Sequence, residues 1–188
     1  MADTPLTRDE NTTLLNIARE SIAYGLEHNK PLPVNVYNFS NSLQQHRATF
    51  VTLHLHHQLR GCIGTLEAHQ PLIKDVADHA YAAAFEDPRF PAVTNSELPL
   101  LDIHISILTP PVPMTFTSEV DLLRQIQPGV DGLILQSGVH RGTFLPSVWE
   151  QLPEPEQFLK HLKMKAGLAG NYWSHDVKVS RYTTVSIP

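Results

Sequence analysis

Ala48-Thr49-Phe50-Val51-Thr52-Leu53-His54-Leu55, followed after His56-His57-Gln58 by Leu59-Arg60-Gly61-Cys62-Ile63-Gly64, is the stretch that decides the fold class. Val51, Leu53 and Leu55 alternate with Thr52 and His54, the period of a half-buried strand. The interruption is short enough for a hairpin turn, and Leu59 to Thr65 reads as the returning strand. That strand carries two glycines, which in a strand mark a kink or a close approach of backbone or ligand.

Working outward, the period changes to helical on both sides. Thr7-Arg8-Asp9-Glu10 fits a capping box, with a hydroxyl at the N-cap and a carboxylate three residues on. The stripe Leu14, Ile17, Ala18, Ile22, Leu26 then predicts an N-terminal helix that ends near Gly25 and Asn29. A polar connection follows from Pro31 to about Arg47. Beyond the hairpin, Pro71 opens a helix with apolar positions Leu72, Val76, Ala80, Ala83 and Ala84, which stops before Pro88. Ile103, Ile105 and Ile107 alternate with Asp102, His104 and Ser106 as a further strand, broken by Thr109-Pro110-Pro111. A short helix around 120–126, a second hairpin over 132–146, a helix over 155–165 and an extended segment over 177–187 complete the chain.

The two halves can be laid over one another. Leu53-His54-Leu55, a three-residue turn, one further residue and Arg60-Gly61-Cys62-Ile63 match Ile134-Leu135-Gln136, a three-residue turn, one further residue and Arg141-Gly142-Thr143-Phe144. Each hairpin leads to a proline-started helix and then to a strand, Asp102-Ile103-His104-Ile105-Ser106 in one half and Asp176-Val177-Lys178-Val179-Ser180 in the other. The expectation is an α+β fold with an N-terminal helix. Duplicated hairpin–helix–strand units, at about 48–110 and 130–188, share one mainly antiparallel sheet in a single domain spanning 1–188.

Composition narrows the function classes. The chain has 188 residues, 41% hydrophobic and 18% charged, which suits one folded domain rather than a disordered chain. A net charge of −5 argues against nucleic acid or an anionic membrane as partner. Cys62 is the only cysteine, so no intrachain disulfide forms and a chain-held iron–sulfur cluster is excluded. Met1-Ala2-Asp3-Thr4-Pro5 has neither the basic nor the apolar region of a secretory signal. No apolar run approaches the roughly 20 residues of a membrane span. The expected setting is cytoplasmic.

The candidate chemistry centres on Cys62. In a regular strand Arg60 and Cys62 share a face, and a guanidinium beside the thiol favours the thiolate. Cys62 is then a nucleophile or a thiolate contact to a ligand, with Arg60 its electrostatic partner. Gly61 and Gly64 leave room for that ligand. The alternative is a free cysteine packed as a small hydrophobe. Asp87-Pro88-Arg89-Phe90-Pro91, with Glu97 downstream, offers Arg89 and Glu97 as further ligand-binding candidates, since an arginine on a stiffened loop receives carboxylates or phosphates. The other reading of that loop is an ion pair that pins it.

His54-x-His56-His57 resembles a metal-ligand run, but two of these residues fall where the hairpin turns and spacing supplies no third ligand. No metal site is expected. The signatures GxGxxG, GxxxxGK[ST], HExxH, GxSxG and CxxC are absent, so no cofactor is expected either.

Phe50-Val51-Thr52-Leu53 and Leu59-Arg60-Gly61-Cys62-Ile63-Gly64 resemble the signature of the AMME chromosomal-region protein family. The likeness continues through Asp87-Pro88-Arg89-Phe90, Ile105-Ser106-Ile107-Leu108-Thr109-Pro110, Asp131-Gly132-Leu133-Ile134-Leu135, Phe144-Leu145-Pro146 and Lys165-Ala166-Gly167-Leu168. The family's prokaryotic members are the A proteins of the AmmeMemoRadiSam system. The resemblance implies an α+β fold with a duplicated unit, and partnership with a Memo-like protein and a radical S-adenosylmethionine enzyme. Two functions follow as expectations. One is an enzyme or enzyme component working at the Arg60–Cys62 loop; the other is a non-catalytic adaptor using that loop as a recognition edge.

Overall fold

The computed structural model describes residues 5–188. Met1-Ala2-Asp3-Thr4, read above for a leader, lie outside the described residues. The chain is α+β, with an N-terminal helix and antiparallel sheets. It divides into two compact units, one formed by residues up to Leu108 together with Val185–Pro188, the other by Thr109–Thr184.

In the first unit, helix α1 (Arg8–His28) starts at the expected capping box. Glu10 N donates to Thr7 Oγ1 at 3.1 Å, and Thr7 N donates to Glu10 Oε2 at 2.8 Å. Asn29 ends the helix in the left-handed conformation, a role asparagine tolerates well. After the four-residue helix α2 (Asn41–Gln44), strands β1 (Ala48–Leu55) and β2 (Gln58–Gly64) form the hairpin, helix α3 (Leu72–Phe85) follows it, and strand β3 (Leu101–Leu108) returns beside β1. The final strand β8 (Thr184–Ile187) completes a sheet of order β2-β1-β3-β8. Leu14, Ile17 and Ile22 of α1, Leu72, Ile73, Val76 and Ala80 of α3, and Val51, Leu53, Ile103, Ile105 and Ile107 of the sheet form its core. Gly25 lets α1 come close to α3, since a Cβ there would lie 2.6 Å from the Phe85 ring and 2.7 Å from that of Tyr81.

The second unit repeats the order. Strands β5 (Gly132–Ser137) and β6 (His140–Phe144) form a hairpin, helix α5 (Pro155–Lys165) follows, and β7 (Lys178–Tyr182) pairs with β5. The two-residue strand β4 (Val112–Pro113) lies on the far edge of β7, and helix α4 (Glu119–Gln125) precedes the hairpin. Trp149 stacks on Phe158 at 3.7 Å between ring centroids within this unit's own core.

The strands therefore form two four-stranded sheets, not the one expected. The reason lies in the pairing. In each copy the closing strand takes the free edge of its own hairpin, β3 on β1 and β7 on β5. The inner hairpin edges are then filled, leaving the copies no common strand. The segment 177–187, expected as one extended element, supplies β7 to one sheet and β8 to the other. No helix among the described residues is long and apolar enough to cross a membrane.

Candidate functional site

Both hairpins turn in two residues, not three. In the first, Leu55 faces Gln58, and His56 and His57 take φ of 51° and 65°. Positive φ at both central positions matches the twist of the flanking strands, although histidine pays for it sterically. The two histidines are thus turn residues.

The first hairpin also contains a bulge. Leu53 pairs with Gly61 and His54 with Leu59, so Arg60 has no partner on β1. The second hairpin is regular, with Leu135 opposite Gly142 and Gln136 opposite Arg141. A bulge adds one residue and re-aims its side chain. Arg60 accordingly leaves the alternation that would have put it beside Cys62. Its Nε and Nη2 donate to Glu97 Oε1 and Oε2 at 3.0 and 3.1 Å, and its Nη1 donates to the Pro91 carbonyl at 2.8 Å. Arg60 is buried, and this bidentate pair satisfies its charge. The expectation of Arg60 as the thiol's electrostatic partner is corrected: its partner is Glu97.

Glu97 is equally committed. Besides Arg60 it accepts from Thr94 N at 2.8 Å and Thr94 Oγ1 at 3.2 Å. The Arg60 hydrogen bonds come first in holding its carboxyl below the usual range, with burial opposing and Thr94 adding.

The glycines serve packing. A Cβ on Gly61 would lie 2.1 Å from the Ala83 carbonyl oxygen, and one on Gly64 2.3 Å from that of Thr49. Each gap is filled by protein backbone, so the expected room for a ligand at the Cβ positions gives way to close chain contact. Gly142 plays the same part in the second unit, where a Cβ would lie 2.9 Å from Ala166 N.

Cys62 faces away from this packing. It lies opposite Thr52 on β1, which lies opposite His104 on β3. Cys62 is half-buried, and its Sγ is 3.2 Å from Thr52 Oγ1. The Cys62 amide, on the outer edge of β2, donates to Asp87 Oδ2 at 3.0 Å. Asp87 also receives Arg89 Nε at 3.0 Å, Arg89 Nη2 at 2.8 Å and Arg89 N at 3.1 Å. Asp87 is buried, while the Arg89 side chain is 55% exposed. The Arg89 hydrogen bonds hold the Asp87 carboxyl well below the usual carboxylate range; burial opposes them, and the Cys62 and Arg89 amides add to the lowering. Arg89 is in turn raised, first by Asp87 and in part by the charge of a Cys62 thiolate. The loop thus brings together Cys62, Asp87 and Arg89, with Arg60 and Glu97 as a separate strut behind them.

Thr52 escapes sequence reading because cross-strand register decides its contact. A second group was also missed. Asp75, fully buried on α3, accepts from Thr49 Oγ1 at 2.6 Å and from Gln70 Nε2 at 2.9 Å, and it lies 3.1 Å from His79 Nδ1. The i,i+4 spacing of Asp75 and His79 on a helix was its only sequence signal. Among the described residues no group of three or more His, Cys, Asp or Glu side chains is placed to hold a metal ion.

The AMMECR1 family model matches residues 15–187. The chain belongs to the AMMECR1 family. It is 41% identical over 180 residues to a protein of Methanothermobacter thermautotrophicus, covering 95% of this chain and 93% of that one. It is 35% identical over 173 residues to a protein of Thermotoga maritima, covering 90% and 91%. The crystal structure of the uncharacterized protein PH0010 from Pyrococcus horikoshii is similar, with a TM-score of 0.86 and 31% identity over 96% of this chain and 92% of that one. The stretch with the bulge, the Cys62 strand and the Asp87 loop falls inside the AMMECR1 match.

Proposed function

We propose that this AMMECR1-family chain is a component of a Memo/radical S-adenosylmethionine-associated system, acting in the cytoplasm, with its ligand or reaction site at Cys62. One arrangement carries the reading: the half-exposed thiol lies on a strand whose amide is clamped by Asp87, and the same carboxylate holds the exposed guanidinium of Arg89. A thiol and a cation fixed on one rigid frame suit an anionic or electrophilic ligand, for which Arg89 supplies the counter-charge. The single cysteine in the sequence supports a reducing compartment. The Memo-like protein and the radical enzyme come into the reading from the family resemblance.

A second reading is a non-catalytic adaptor that uses the loop as a recognition edge. The Arg60–Glu97 strut favours it, because it stiffens the β2 edge without touching the thiol. Titrating Cys62 with a thiol reagent across pH tests the first reading. Reactivity no faster than that of a free cysteine overturns the reactive-thiol role. Recovery of a Memo-like protein or radical enzyme from native cells, equal for wild type and Cys62→Ser, supports the adaptor. Recovery of neither partner overturns the association.

A further inference from the structure

The second unit contains a cavity of about 530 Å³, made entirely by residues between Pro113 and Ser180. That volume is within the roughly 300–1,000 Å³ range of small-molecule sites. Its lining combines two chemistries. Phe116 and Trp173 form an aromatic wall, their ring centroids 5.6 Å apart. Gln136 on β5 and its direct register partner Lys178 on β7 supply polar groups, with Ser180 two residues further along β7.

Two features give the cavity a preference. Trp173 is held in position, since the Nζ of the buried Lys163 lies 5.6 Å from its ring centroid and is itself anchored by Glu119 Oε1 at 2.7 Å. Lys178 has no ion pair among the described residues. The carboxylate nearest in sequence, Asp176, lines an adjoining hollow that Gln136 and Lys178 also border, and its Oδ1 is engaged by His175 Nε2 at 3.2 Å. An unpaired ammonium beside an amide and a hydroxyl offers several donors to a carboxylate, and a fixed aromatic wall takes a planar apolar body.

We infer that this cavity is a binding site for a small aromatic carboxylate, independent of the Cys62 loop. Phenylpropionate and its neutral amide, titrated into the full chain, test it by calorimetry and by backbone-amide and indole NMR shifts. The expected result is saturable binding of the acid with shifts at Ile134, Gln136, Lys178 and Trp173. The amide binds about tenfold more weakly, as does the acid to Lys178→Met, and Lys178→Arg restores binding. The inference is overturned by no saturable binding of the acid at about 10 mM, well beyond the millimolar range of weak sites. It is also overturned by equal binding of acid and amide, by unaltered affinity in Lys178→Met, or by shifts centred elsewhere. The acid–amide comparison uses only wild type, so it decides even if the variant misfolds.

Discussion

The Cys62 amide donates to Asp87 Oδ2 at 3.0 Å, and through that bond the outer edge of β2 is joined to the loop that carries Arg89. An edge strand exposes unpaired N–H groups. Here a buried carboxylate covers one of them and is itself satisfied by a guanidinium, so strand, thiol and cation are tied together through Asp87.

Asp87→Asn removes the charge from that link. It leaves Arg89 without its ion pair and is expected to destabilise the first unit by about 1–3 kcal/mol in chemical denaturation. The pH dependence follows from the sign of the shift. Asp87 has its carboxyl depressed in the folded state, so its stabilisation is fully present above the unfolded value of about 3.9 and is lost as pH falls through the folded value. Wild type should lose stability below about pH 4 with a steeper slope than Asp87→Asn. Parallel curves would show that Asp87 does not drive the loss.

Arg89, not Arg60, should set how Cys62 meets a charged reagent. Arg89→Met is expected to slow an anionic aromatic disulfide by about threefold to tenfold while barely changing a neutral dipyridyl disulfide. Arg60→Lys should leave both rates near wild type, because the Arg60 guanidinium is spent on Glu97. A larger effect from Arg60→Lys would restore the simple strand reading.

Gly61→Ala and Gly142→Ala test the packing role in the two hairpins. At Gly61 the new methyl carbon meets a carbonyl oxygen at 2.1 Å, whereas at Gly142 the nearest atom is at 2.9 Å. Gly61→Ala should therefore cost about 3 kcal/mol or more and Gly142→Ala about 1–2 kcal/mol, read by hydrogen exchange within each unit. The reverse order would mean that helix α3 shifts more readily than the contact geometry implies.

Thr49→Val keeps the shape of a buried side chain and deletes its hydroxyl. Asp75 loses its 2.6 Å donor, and the 3.0 Å contact to His79 Nδ1 goes with it. A loss of about 1–3 kcal/mol is expected, with Thr49→Ser recovering most of it. Equal stability of the valine and threonine proteins would place no energetic weight on this cluster.

Local chemistry written in the sequence determined a great deal. The Thr7–Glu10 capping box, the Asn29 stop, the Pro155–Lys165 helix and the period-two strands depend on residues a few positions apart, and each is where its pattern puts it. The family was equally legible, because the Leu59–Gly64 stretch is specific. Period two, however, says which face a side chain takes and not which strand lies alongside. Only the tertiary structure divided the strands between two sheets. It also shifted the repeat: Leu53 pairs with Ile103 while Leu135 pairs with Val179, so the matched Asp-x-x-x-Ser segments are offset by two residues. At the Arg60–Cys62 stretch the decision rested on one bulged residue. It turned Arg60 toward a glutamate 37 positions away and left the thiol to the Asp87–Arg89 loop. A pairing register is chosen by the sum of contacts across two strands, and no single strand carries that sum in its own sequence.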